Sequence, residues 1–248
     1  DAALLRTISR YLRQINIAFS HAYMAGVVVK HAAIAAKIVQ LFNARFDPKR
    51  EAGRAEAQAD IVAEIETALN AVESLDEDRI IRRFVNLVQA MLRTNVFQRE
   101  DGRHKDVISF KLEAAKVDQL PAPRPLYEIF LSSPRVEGLH LRFGRVARGG
   151  LRWSDRPEDF RTEILGLVKA QQVKNAVIVP VGAKGGFVPK KLPPAGDRQA
   201  WLAEGTEAYR IFIRTLLDIT DNLAGGNIVP PKDTVGHEGD DPYLVVAA

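Results

Sequence analysis

Apolar side chains recur at spacings of three and four over residues 2–97, beginning with Leu4, Leu5, Ile8, Leu12 and Ile15. This is the mark of helices with one buried face. Residues 23–46 form a long alanine-rich stretch that is apolar around much of its circumference, and they read as one mostly buried helix. That helix stops at Asp47-Pro48, because proline disfavours helical geometry in the residue before it. Residues 55–72 and 77–92 continue the pattern, the second opening after Ser74 and Asp76, either of which caps a helix N-terminus.

The period changes after the polar link Arg99-Glu-Asp-Gly-Arg-His-Lys105. Residues 107–112 alternate apolar and polar positions like a half-buried strand, and residues 126–131 and 136–143 read as further strands. The proline-rich stretch Leu120-Pro-Ala-Pro-Arg-Pro125 is a loop. Beyond Gly149-Gly150 helix and strand alternate. Ser154 or Asp155 caps a helix with Phe160, Ile164, Leu167 and Val168 on its inner stripe, ending near Lys174. An apolar strand follows over residues 176–181. A long helix over residues 197–223 carries Leu202, Tyr209, Phe212, Leu216 and Leu223 on one face, and Gly225-Gly226 supplies a left-handed stop. The pattern predicts an α/β protein: a helix-rich region over residues 1–105, then an α/β layer on a mixed sheet over residues 106–248.

Composition narrows the classes of function. Hydrophobic residues make up 46% and charged residues 27%, ordinary globular values, and no apolar run is long enough to cross a bilayer. The 35 basic and 31 acidic residues are interspersed, a balance that suits small anions at least as well as nucleic acid. There is no cysteine, which excludes disulfides, thiolate metal sites and a cysteine nucleophile. No signal peptide opens the chain, so a cytoplasmic location is expected. The first residue is Asp1 and the last four, Val245-Val-Ala-Ala248, lie within a hydrophobic element, so the chain reads as a piece of a longer one.

The candidate chemistry gathers around Lys174-Asn-Ala-Val-Ile-Val-Pro-Val-Gly-Ala-Lys184-Gly-Gly186. One lysine precedes the predicted strand, and the other is expected in a glycine turn just after it. Gly182, Gly185 and Gly186 would let that turn adopt positive φ and let a ligand approach the main chain. The spacing lacks the spacer and the following Ser or Thr of a phosphate-binding P-loop, and no Gly-x-Gly-x-x-Gly occurs in the chain. A nicotinamide cofactor would need a domain elsewhere. From spacing alone Lys184 is either a solvated turn residue or a functional amine. Lys174 and Arg148 would gather cations near it, and like charge with partial burial favours the neutral form of a lysine amine. Asp233 is either a turn aspartate bonded to its own backbone or a functional acid. His237-Glu-Gly-Asp240-Asp241 offers ligand-type side chains without helical His-x-x-x-His spacing, so no metal is expected. Trp153 and Trp201 read as packing residues. The series Arg142, Arg145, Arg148 and Arg152 lacks any nucleic-acid motif.

Four ordered motifs resemble the substrate domain of glutamate dehydrogenases: Arg148-Gly-Gly-Leu-Arg152, Gln172-Val-Lys174-Asn175, Pro180-Val-Gly-Ala-Lys184-Gly-Gly186 and Val229-Pro-Pro-Lys-Asp233. Gly149-Gly-Leu-Arg-Trp-Ser-Asp155 and Pro231-Lys-Asp-Thr-Val-Gly-His237 are similar to the large bacterial NAD-specific branch, whose subunits are far longer. The resemblance covers residues 136–248 and is only general before them.

It implies an amino-acid dehydrogenase substrate and oligomerisation domain. Lys184 would be the catalytic lysine, Lys174 the grip on the substrate α-carboxylate, and Asp233 the proton-shuttling aspartate. Arg148, with Gly149 and Gly150 beside it, would meet the side-chain carboxylate, where smaller relatives carry a lysine; the lysine-to-lysine spacing is also shorter here. The implied reaction is oxidative deamination of L-glutamate to 2-oxoglutarate and ammonia, with NAD bound mainly by a domain outside this chain. The fragment alone would be inactive. A homo-oligomer is implied, with neither nucleic acid nor membrane as partner. The alternatives are a dehydrogenase of another amino acid and a non-catalytic oligomerisation module.

Overall fold

A computed structural model describes residues 1–175, 181–194 and 196–247, without the side chains of Lys174, Asn175 and Ala247. Five helices come first: α1 (Ala2–Gln14), α2 (His21–Lys30), α3 (Ala32–Phe46), α4 (Arg54–Leu69) and α5 (Leu75–Ala90). Leu4, Ile8, Tyr11 and Leu12 form the buried stripe of α1, as their spacing predicts. The hydroxyl of Ser74 accepts the Glu77 N–H and caps α5.

The long helix expected over residues 23–46 is two helices, bent by 97° at the break. No proline or glycine marks the bend. Its cause is tertiary: Lys30 Nζ and His31 Nε2 each lie 2.7 Å from the Glu77 carboxylate, so the chain turns to bring both onto the first turn of α5. Only Met24 and Val27 of α2 are buried, whereas α3 buries eight of its fifteen residues. No single helix among the described residues is long and apolar enough to cross a membrane.

The strands are β1 (Met91–Thr94), β2 (Arg99–Glu100), β3 (Arg103–His104), β4 (Ile108–Glu113), β5 (Tyr127–Ser132), β6 (Val136–Arg142), β7 (Arg148–Trp153), β8 (Ala183–Pro189), β9 (Asn222–Ala224), β10 (Asn227–Val229) and β11 (Val245–Ala247). Seven of them build one sheet in the order β1-β4-β5-β6-β8-β7-β11. Pairing is antiparallel from β1 to β8 and parallel from β8 through β7 to β11, so the sheet is mixed as expected.

Two more helices, α6 (Phe160–Asn175) and α7 (Arg198–Leu217), cover opposite faces. On one face α1, α3, α5 and α6 share a large cluster that includes Tyr11, Phe42, Phe84, Phe110, Phe130 and Ile164. On the other, Ala208, Phe212 and Leu216 of α7 pack with Ile129, Leu131 and Phe187. β1 precedes residue 105 yet belongs to the main sheet, and the first cluster runs through both parts of the chain.

Several local expectations are corrected. Residues 176–180 of the predicted strand lie outside the described residues, and Val181 is in no strand. Lys184 sits within β8, not in a turn, and Gly182, Gly185 and Gly186 are not among the residues with positive φ. Their lack of a Cβ serves packing: a Cβ on Gly186 would lie 2.3 Å from Ile164 Cδ1 of α6. α6 begins at Phe160, beyond Ser154 and Asp155, and Leu167 is 40% exposed while Leu165 takes the inner stripe. α7 is capped by Asp197 but ends at Leu217. Gly225 and Gly226, with φ of 58° and 84°, turn the β9–β10 hairpin instead of stopping a helix, and Leu223 is exposed.

Candidate active site

Strand alternation decides which way Lys184 points. Gly185 stands opposite His140 of β6 and Leu151 of β7, and a Cβ there would meet Leu151, His140 and Phe212, all on the α7 side. Lys184, one residue earlier, therefore presents its side chain to the α6 face. It is half-buried. The same parity puts Arg152 of β7 on that face, where it reaches Glu163 of α6 at 2.8 Å. Arg148 is exposed and is bridged in parallel register to Gly182.

The last turn of α6 closes this corner. Gln171 Nε2 donates to the Arg148 carbonyl at 3.1 Å, and its Oε1 is buried without a partner among the described residues. Gly182 and Gly149 make room for it, since a Cβ on either would lie within 3.2 Å of that oxygen. Lys174 follows Gln171 by three residues on the same helix. Arg148, Gly149, Gly150, Lys184 and the turn carrying Lys174 thus share one corner, at the starts of β7 and β8 and the C-terminus of α6. Sequence reasoning missed Gln171; its position one turn before Lys174 was the available signal. Among the described residues neither Arg148 nor Lys184 has a carboxylate at ion-pair distance, although Arg152 beside them is paired. The C-terminal end of α6 carries partial negative charge that favours cations there.

Asp233 is elsewhere. It has a left-handed φ of 52° and lines a cavity of 310 Å³ with Gln98, Lys105 and Asp218, beyond the outer strand β1. It shares no hydrogen bond, ion pair or cavity with Lys184 among the described residues. From β1 to β8 is four strand spacings, roughly 19 Å.

The acids that resembled metal ligands neutralise buried cations. Glu238 lies 2.9 Å from Arg93 and 2.7 Å from Lys111, and Asp241 lies 2.5 Å from Lys111 and 2.7 Å from Arg142. Burial pushes the Lys111 ammonium down against the pull of Glu238 and Asp241. Burial would raise the Asp241 carboxyl, but the Arg142 hydrogen bonds and the Lys111 charge hold it below its ordinary value. His237 Nε2 contacts the Arg45 carbonyl at 3.0 Å. Arg142 is likewise committed to Asp241 and is not available to a phosphate. Trp153 and Trp201 stack on each other with centroids 4.2 Å apart, consistent with packing.

Residues 64–248 match the family model of the bacterial NAD-glutamate dehydrogenase catalytic domain, and residues 1–48 match helical motif 3 of glutamate dehydrogenase. An NAD-specific glutamate dehydrogenase of Halomonas elongata is 56% identical over 249 residues, covering 100% of this chain and 15% of that protein. The Pseudomonas aeruginosa protein of the same name is also 56% identical, over 253 residues, with 100% and 16% covered. One from Neurospora crassa is 30% identical over 158 residues, with 60% and 14% covered. The chain spans about a sixth of the length of these bacterial relatives.

Proposed function

The chain belongs to the family of bacterial NAD-glutamate dehydrogenase catalytic domains, and we propose that it supplies the substrate-binding part of an enzyme that oxidatively deaminates L-glutamate to 2-oxoglutarate and ammonia. The observation that carries this reading is the corner itself. Two cations, Arg148 and Lys184, lie without carboxylate partners among the described residues in one corner, beside the helix end that bears Lys174. A dicarboxylic amino acid needs such a set.

Arg148 takes the side-chain carboxylate through its planar fork, and Lys174 takes the α-carboxylate. Gly149 and Gly150 keep the β7 main chain clear, so the substrate lies close to it. Lys184 acts at the α-carbon, activating the water that converts the imine to a carbinolamine. Asp233 moves protons to and from the departing ammonia; this role rests on the motif Pro231-Lys-Asp-Thr-Val-Gly-His237 and requires its loop to approach Lys184 when the cleft closes. NAD supplies the hydride acceptor. The described residues do not fit a dinucleotide, since no glycine-rich turn leads from a strand into a helix with an acid downstream, so NAD is held mainly outside this chain. Residues 1–248 alone are accordingly inactive. We read the whole protein as a cytoplasmic homo-oligomer without nucleic-acid or membrane partners, in keeping with its interspersed charges.

The test uses the full-length enzyme. Lys184→Met lowers kcat by about 10²–10⁴-fold, the range for a lost proton-transfer group; activity near wild type sinks the assignment. Arg148→Ala raises the KM for glutamate about 10- to 100-fold, as loss of a charge-assisted hydrogen bond does. Turnover of leucine or phenylalanine in preference to glutamate would transfer the reading to another amino acid.

A further inference from the structure

Of the residues assigned to substrate, Arg148, Gly149 and Gly150 have the thinnest support on their inner side. β8 pairs regularly with β7 only at Leu151, Arg152 and Trp153, and at Arg148 it offers a single isolated bridge to Gly182. The outer neighbour takes over. Val245, Val246 and Ala247 of β11 pair in parallel with Arg148, Gly149 and Gly150, residue for residue.

A three-residue outer strand does not hold itself in place, and residues 238–244 before it form neither helix nor strand. What fastens this segment is Asp241. Its carboxylate accepts from both terminal guanidinium nitrogens of Arg142, at 2.7 and 2.9 Å, and from Lys111 Nζ at 2.5 Å. Its N–H donates to the Asp221 carboxylate at 2.6 Å, and its carbonyl accepts from the Asp221 N–H at 3.2 Å. Side-chain exposures are 1% for Lys111, 2% for Arg142 and 12% for Asp241, so the anchor is shielded from water. It ties β4, β6 and the segment after α7 to a point four residues before β11. Leu244 and Val246 then pack on the α7-side cluster.

We propose that Asp241 is a positioning residue for substrate binding: by anchoring β11 against β7 it fixes the place of the Arg148 guanidinium and the two glycines after it. This rests on the assignment of Arg148 to the substrate carboxylate. Lys184 does not depend on the anchor in the same way, because β8 is held by β6 along seven registered pairs. Loss of the anchor therefore affects the grip and spares the chemistry.

The experiment is a kinetic comparison in the full-length enzyme. Asp241→Asn keeps the shape and removes the charge that holds Arg142 and Lys111. The expected result is a KM for glutamate raised at least fivefold, with kcat within threefold and the KM for NAD unchanged; Asp241→Glu restores part of the loss. An unchanged glutamate KM, or a proportional decline of every parameter, overturns the proposal. If Asp241→Asn does not fold, Val246→Ser, which removes the apolar contact that seats β11 on the α7-side cluster, is judged by the same readouts. Arg148→Ala is measured beside them. No effect of Arg148→Ala on glutamate KM means that the functional assignment has failed, whereas a large effect there with none from Asp241→Asn refutes only the positioning role.

Discussion

Glu128 of β5 and Arg161 of α6 form an ion pair in which neither side chain reaches water, with exposures of 0% and 1%. Arg161 Nε also lies 3.2 Å from Glu128, and the Tyr11 hydroxyl of α1 donates to the same carboxylate at 2.8 Å. Burial and the Glu128 charge push that hydroxyl well above its ordinary value, which keeps it a donor. Gln14 accepts the Arg161 N–H at 3.1 Å and donates to the Pro157 carbonyl at 2.9 Å. The start of α6, the helix whose end enters the candidate site, is thus locked to α1 and the sheet.

Breaking this pair from one side strands a charge. Arg161→Leu leaves Glu128 buried with Tyr11 as its remaining partner, and the expected cost is roughly 3–5 kcal/mol. Replacing both partners with leucine should regain most of it, because two matched apolar groups carry no unpaired charge. Urea denaturation of the full-length protein and both variants decides the matter. A single variant as stable as wild type would show that water reaches the pair.

The sequence exposed the fold through periodicity and hid what depends on distant partners. The stripe of α1 and the cap at Ser74 are local signals, and each was legible, whereas β4, whose alternation reads as half-buried, is buried on both faces because Lys111 pairs with Glu238 and Asp241. The break at His31 was not legible, because its cause is Glu77, 46 residues away. Nor was the anchor at Asp241, whose partners Arg142 and Lys111 lie 99 and 130 residues away. The glycines around Lys184 misled for another reason. Glycine signals either a turn or a close approach, and only the position of α6 shows that Gly186 is the latter. Gly225-Gly226 carries the same ambiguity between a helix stop and a hairpin turn. Arg148 and Lys184 were named as candidates from motif order, but that β7 and β8 bring them to one corner depends on the sheet order, which neither motif nor spacing encodes.

Gly149→Ala should disable the corner without touching a charged group. A Cβ at Gly149 would lie 1.6 Å from the Ala183 carbonyl oxygen, and both groups are main chain, so no rotamer relieves the clash. β7 must move away from β8, taking Arg148 with it. The expected outcome is a lower melting temperature and a glutamate KM raised at least tenfold. Gly26→Ala is the control: nothing lies within 4 Å of its Cβ, it is inside α2, and alanine there should stabilise by about 0.5–1 kcal/mol. Equal behaviour of the two variants would contradict the packing argument.

His140 makes stability fall on the acid side of neutrality. It is fully buried on β6 opposite Gly185, neither ring nitrogen has a partner among the described residues, and burial together with the Arg142 charge pushes it down to about 3. The folded chain therefore keeps it neutral while the unfolded chain protonates it near its ordinary value of 6.5. As pH drops below 6.5, unfolding takes up a proton that folding must exclude, at about 1.4 kcal/mol per pH unit until about pH 3. Asp221 and Asp241 work in another window. Their carboxyls are held below the ordinary value, so their contribution is present above about pH 3.9 and fades only below it. His140→Leu removes no hydrogen bond and abolishes the histidine term. Denaturation midpoints at pH 7.5, 6.5, 5.5 and 4.5 should show wild type losing ground to His140→Leu progressively below 6.5. A gap between the two proteins that stays constant across this range would mean that His140 is protonated, or reached by water, in the folded state.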